Sequence, residues 1–144
     1  MKKKMFINKA IIITIVVMVI LGFVSGCDAG ISKDARLSAF IADMESGDNP
    51  NPRVHFSGNA NASKIDSATF NSTNMDPSNN LDIMGYVING DTFTMDYTTD
   101  TYSDETIATA SFYVEKGALG EENWFIRSMT VPVAASTMLI PDNL

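Results

Sequence analysis

The chain has 144 residues, with 17 acidic and ten basic side chains, one cysteine, one histidine and a net charge of −7. A single histidine leaves a multi-histidine metal site short of ligands, and a single thiol rules out an internal disulfide. The acidic balance argues against nucleic acid as a partner.

The N-terminal end has its own character. Lys2, Lys3, Lys4 and Lys9 precede any acidic residue, and residues 10–24 are apolar apart from Thr14 and Gly22. That run of 15 residues falls short of the roughly 20 that a membrane-spanning helix needs. A positive start, an apolar middle and small residues after it are the parts of a secretory signal peptide, predicted here over residues 1–26. The run ends in Val24-Ser25-Gly26-Cys27, which resembles the lipobox of bacterial lipoproteins. The resemblance implies cleavage between Gly26 and Cys27 and a diacylglyceryl group on the Cys27 sulfur, with a further acyl chain of the palmitate kind on the freed amine. Two or more chains, at about 0.8 kcal/mol per buried methylene, hold a protein durably on a bilayer. The partner implied first is therefore the lipid bilayer, on the periplasmic or extracytoplasmic face of a cell membrane. Asp28, directly after the cysteine, resembles the inner-membrane retention signal of two-membrane bacteria.

Processing would leave 118 residues with six basic and 17 acidic side chains, a net charge of −11. That is one ordinary domain, large enough for a core without disulfides. Residues 27–31 form a short tether, and 32–144 read as a single α+β domain.

In chain order, residues 32–46 predict an amphipathic helix. Leu37, Phe40, Ile41 and Met44 share one stripe, Ser32 is a fitting N-cap, Asp34 suits the first turn and Gly47 the C-terminal stop. The prolines of "DNPNP" break the helix. The Ser- and Asn-rich segment that follows offers Ile65, Phe70 and Met75 as anchors, with a helical turn after Ser63 or Asp66. Beyond Asn80 the period becomes two. Residues 83–88 predict a strand, and Asn89-Gly90 a hairpin turn. Phe93, Met95 and Tyr97 alternate with Thr92, Thr94, Asp96 and Thr98 in the second strand. Residues 106–115 make the third, with Ala108, Ala110, Phe112 and Val114 on one face. Residues 124–133 make the fourth, with Trp124 and Ile126 expected opposite Phe125, Met129 and Val131. Pro132 suits an edge or a bend. The apolar tail Met138, Leu139 and Ile140 needs cover.

The expected architecture is one amphipathic helix packed on a curved antiparallel sheet of about four strands, a cone-like roll; a cystatin-like sheet or a β-sandwich is the alternative. The helix "LSAFIADMESGD", the strands around "YVINGDTFTMDY" and the closing "ENWFIRSM" resemble the nuclear-transport-factor-2-like superfamily, the ketosteroid-isomerase-like cone fold. "PRVHFS" followed by "IDSATFN" is similar to small bacterial lipoproteins that carry such a domain. Enzymes of that superfamily hold an acid or base and a hydrogen-bond donor in the cone, as ketosteroid isomerase does.

No catalytic residue stands out. Asp82, Asp96, Tyr86, Tyr97 and Tyr113 lie on or beside predicted strands, but no spacing singles out a pair. Tyr86, Tyr97, Tyr113, His55 and Arg127 are the candidates to line a cavity. Asp96, Asp100, Asp104 and Glu105 are too widely spaced for a calcium loop. No cofactor or metal motif is present. The leading expectation is a non-enzymatic binding or accessory domain that takes a protein partner or a small apolar ligand on the concave face of its sheet. The alternative is a small isomerase, dehydratase or hydrolase using an Asp/Tyr pair there.

Overall fold

The computed structural model describes residues 30–47, 50–104 and 106–141. The expected signal peptide, its cleavage point and Cys27 lie outside the described residues. The rest is an α+β arrangement of one long helix, one short helix, three 3-10 turns and a five-stranded antiparallel sheet.

Helix α1 spans Lys33–Glu45. Ser32 caps it by accepting the amide of Ala35 at 3.2 Å, and Gly47 beyond its end has φ +67°, the left-handed conformation a glycine adopts freely. Leu37, Phe40 and Met44 are fully buried, as their spacing predicts, while Ile41 is half-buried at the margin of the stripe. Removing such side chains from water contributes about 1.5–3 kcal/mol each.

The Asn- and Ser-rich connection is ordered by local hydrogen bonds. Residues Pro52–His55, Ala62–Lys64 and Pro77–Asn79 form 3-10 turns. Helix α2, Ser67–Asn71, starts at a capping box. There Asp66 Oδ1 accepts the Thr69 amide at 2.9 Å, and Thr69 Oγ1 accepts the Asp66 amide at 3.0 Å. Ile65, Phe70 and Met75, the expected anchors, are all at most 2% exposed.

The strands are β1 Asp82–Asn89, β2 Thr92–Thr98, β3 Thr106–Lys116, β4 Glu122–Val133 and β5 Ser136–Ile140, in the order β1-β2-β3-β4-β5. The fifth strand adds to the four expected. It is the apolar tail, which pairs with β4 from Val133↔Ser136 to Met129↔Ile140 and buries Ile140 completely. The first hairpin closes on Gly90 and Asp91, because Asn89 still pairs with Thr92; Gly90 takes φ +60° there.

Two irregularities set the faces. In β1 the register steps between Ile83 and Gly85, so that Ile83, Tyr86 and Ile88 oppose Tyr97, Met95 and Phe93. In β4, Ile126 pairs with Phe112 and Ser128 with Ser111, which leaves Arg127 as an extra, exposed residue. Strict alternation would put Ile126 and Met129 on opposite faces. The bulge at Arg127 instead brings both inward with Val131, and all three have no exposure. The expected division of β4 is corrected accordingly: Ile126, Met129 and Val131 share the core face.

The core lies between the inner face of the sheet and the layer made by α1, α2 and the 3-10 turns. The second edge of β4 is covered in two pieces: β5 takes residues 129–133, and residues 31 and 56–57 take its earlier part. Ser57 N donates to Ile126 O at 3.0 Å and Trp124 N to Ile31 O at 2.9 Å. Pro132 lies past the last β3 pairing, Thr109↔Thr130, and its carbonyl accepts the Asn74 amide at 2.9 Å.

Candidate functional site

The helical layer covers one face of the sheet only. On the other, β2, β3 and β4 present two rows of hydroxyl side chains. Thr92, Ser111 and Ser128 oppose one another in the first row, and Thr94, Thr109 and Thr130 in the second. Ser111 and Ser128 share a hydrogen bond of 3.1 Å between their hydroxyls. These six side chains, with the backbone at Phe93 and Ala110, line an open groove of about 390 Å³. Neighbours across strands stand about 5 Å apart and those along a strand about 7 Å. The second row continues into Val87 on β1 and Leu139 on β5, so the hydroxyls are framed by apolar side chains. Val87 is 64% exposed, and Ile107, one row away beside Asp96, is 53% exposed.

Among the described residues, no charged side chain lines the groove, in a chain that is strongly acidic. His55 belongs to the opposite side of the sheet, with α1, so it is not placed to activate any of these hydroxyls as a nucleophile. What the groove can do chemically is donate and accept hydrogen bonds with an uncharged polar surface, while the flanking Val87 and Leu139 give apolar contact.

The five candidate cavity residues do not meet. Tyr97 is fully buried in the core, its hydroxyl has no partner, and burial, with Tyr102 beside it, pushes its ionisation well above the ordinary range. Tyr86 lies half-buried on the inner face of β1 and donates to Asp34 Oδ1 at 3.4 Å, in an exposed position. Tyr113 lies on the outer face of β3 with Gly58 packed against its ring; Gly58 has φ +76°, and a side chain there would collide with the tyrosine. Arg127 is the exposed bulge residue. His55, 5% exposed, packs its ring edge-on to Phe40 and hydrogen-bonds through Nε2 to Asp43 Oδ2 at 3.2 Å. Burial holds its protonation below the ordinary range; the Asp43 hydrogen bond and charge oppose this, and Arg36 adds to it.

Two basic residues of α1 hold the end of the sheet where α1 begins. Lys33 Nζ binds Gly90 O at 2.6 Å and Asp91 Oδ1 at 2.8 Å, and lies 4.0 Å from the centre of the Trp124 ring. Arg36, buried, donates to Trp124 O and Val54 O and stacks on Phe125 at 4.3 Å. Its burial lowers its pKa, against the pull of Glu115. Both are occupied in structural contacts. Among the described residues, no group of His, Cys, Asp or Glu could hold a metal ion.

The hydroxyl groove was only partly visible in sequence. The Thr92-x-Thr94 alternation shows a polar strand face, and Thr109-x-Ser111 and Ser128-x-Thr130 repeat it. That these six residues meet depends on pairing register and, for β4, on the bulge.

No protein-family model, curated protein or solved structure matches this chain. The functional reading therefore stands on the geometry and the sequence alone.

Proposed function

We propose that this chain is a lipid-anchored accessory domain, tethered through Cys27 to the extracytoplasmic face of a bacterial membrane. In this reading it captures a protein partner on the uncovered hydroxyl face of its sheet and performs no covalent chemistry. The observation that carries the binding part is the contrast between the two sheet faces. The inner face is filled: Phe93, Met95, Tyr97 and Met129 are at most 1% exposed, which leaves no room there for a small apolar ligand. The outer face keeps an open, uncharged groove with apolar side chains at both ends of one hydroxyl row.

The anchor is supported by the basic start, the short apolar run and Val24-Ser25-Gly26-Cys27. Among the described residues, no helix is long and apolar enough to cross a membrane. The likeness to the nuclear-transport-factor-2-like cone fold is supported by the bulges in β1 and β4, which bend strands, and by the helical layer packed on one side only.

Two measurements test the reading. Wild-type protein should fractionate with membranes and take up an acyl label that Cys27→Ala loses; an unlabelled, aqueous wild type removes the anchor. A photo-crosslinking side chain at Thr109 should give a discrete adduct in intact cells, and the same group at exposed Ala39 on α1 should not. Equal yields from both positions would overturn the binding face.

A further inference from the structure

The residues just before α1 bear on how a tether at Cys27 would orient the domain. Gly30 and Ile31 run beside the start of β4. Ile31 N donates to Asn123 Oδ1 at 3.1 Å, Trp124 N donates to Ile31 O, and Gly30 is packed so closely on the Glu122 backbone that a side chain would collide with it. Gly30 lies against Glu122 and Ile31 against Trp124, so the two segments point the same way. Followed backwards, Ile31 and Gly30 run toward the end of the sheet where β4 begins, beside the β3–β4 turn. Two residues, Asp28 and Ala29, separate Gly30 from Cys27, so three Cα–Cα steps give a reach of at most about 11 Å.

The turn at that end is built as a blunt apolar tip. Gly117 N donates to Glu121 O at 2.9 Å and Gly120 N to Gly117 O at 3.0 Å, which closes the turn, and Gly120 takes φ +87°. Leu119 stands at its apex and is 82% exposed, more than any other large hydrophobic residue described. The acid nearest the tip is tied to the turn's own backbone: Glu121 Oε2 accepts the Leu119 amide at 3.0 Å, and its carboxylate folds over Gly117. Ala118, Leu119 and Gly120 carry no charge of their own; the Glu121 carboxylate lies against the turn, and exposed Lys116 and Glu122 stand at its base.

We propose that the anchored domain stands on this turn, with Leu119 seated in the lipid interface and the strands rising from the bilayer. This rests on the lipoprotein reading above. One leucine does not hold a protein on a membrane, and the net acidity gives no attraction to anionic headgroups. The acyl chains supply the attachment, and Leu119 with the short tether supplies the orientation. The hydroxyl groove then faces sideways, clear of the membrane, toward a neighbour standing on the same surface.

The test uses full-length protein, lipidated in cells and reconstituted into phosphatidylcholine vesicles. Lipidation consumes the Cys27 thiol, so Leu119→Cys carries the one free thiol and can take an environment-sensitive fluorophore; Thr109→Cys, on β3 away from the turn, is the reference. The expected result is a blue-shifted emission at position 119, with at least twofold stronger quenching by lipids spin-labelled near the headgroup than at position 109. Acylated, vesicle-bound protein whose two probes are equally wet would overturn the orientation while leaving the anchor intact. Protein that takes no acyl label and stays off vesicles would overturn both.

Discussion

On the inner side of β2, Phe93, Met95 and Tyr97 are at most 1% exposed, while Thr92 and Thr94, each one residue away, stand in solvent and Asp96 is half-covered. The same backbone holds both sets, and only the position of the helical layer separates them. That one-sided cover divides the work. The inner face carries the burial energy and tolerates little change, whereas the outer face adds little to stability and is free to take on recognition chemistry.

The sharpest way to break this division is to empty the inner side. Phe40 meets His55 and Phe56 edge-on, at 5.7 and 6.1 Å between ring centres, and Phe70 at a tilt, at 6.2 Å. Phe40→Ala should cost about 3–5 kcal/mol, the usual range for a buried phenylalanine. Denaturant unfolding measures this directly. A loss below about 1 kcal/mol would mean that α1 does not organise the core.

The inner face also holds a flaw, and repairing it should act in the opposite direction. The Tyr97 hydroxyl is buried without a partner. Tyr97→Phe keeps the ring and removes the unpaired group, so it should stabilise the domain by about 1 kcal/mol. A lower melting temperature in the variant would show that the hydroxyl is satisfied in solution.

His55 couples the same layer to pH. Its folded-state pKa lies below its ordinary value of 6.5, chiefly through burial, so the unfolded chain binds the proton more tightly. The resulting stability is fully present above pH 6.5 and is lost as pH falls through that value toward the folded pKa. Unfolding midpoints between pH 7.5 and 5 should therefore decline on acidification. His55→Gln, which keeps a donor for Asp43, should flatten the decline; an unchanged slope would assign the linkage to other groups.

Much of the inner face was legible in the sequence because burial imposes periodicity. Leu37, Phe40 and Met44 follow the helical repeat, and Phe93, Met95 and Tyr97 follow the strand repeat. Even the loop anchors Ile65, Phe70 and Met75 stood out as apolar residues in a polar segment. Three features stayed hidden. The bulge at Arg127 leaves no local mark, since its register is set by pairing with β3 and by the 56–57 segment on the far edge. β5 is a five-residue run whose strand character comes from its partner. The outer groove was readable as threonine alternation, but not as an exposed site, because sequence does not say which face the helix leaves bare.

The smallest expected effect bears most directly on that groove. Thr109 lies exposed at the centre of the second row, between Thr94 and Thr130. Thr109→Val keeps the β-branched shape that a strand favours and removes only the hydroxyl, so stability should shift by no more than about 0.5 kcal/mol. If recognition runs through the hydroxyl rows, the same change should cut partner capture from a crosslinker placed at Thr92, since a polar group of the partner would lose its match and stay desolvated. Stability and capture that both hold would reduce the face to solvated surface. A large loss of stability would instead show that Thr109 is bound into the fold, and the division between the two faces would fail at its centre.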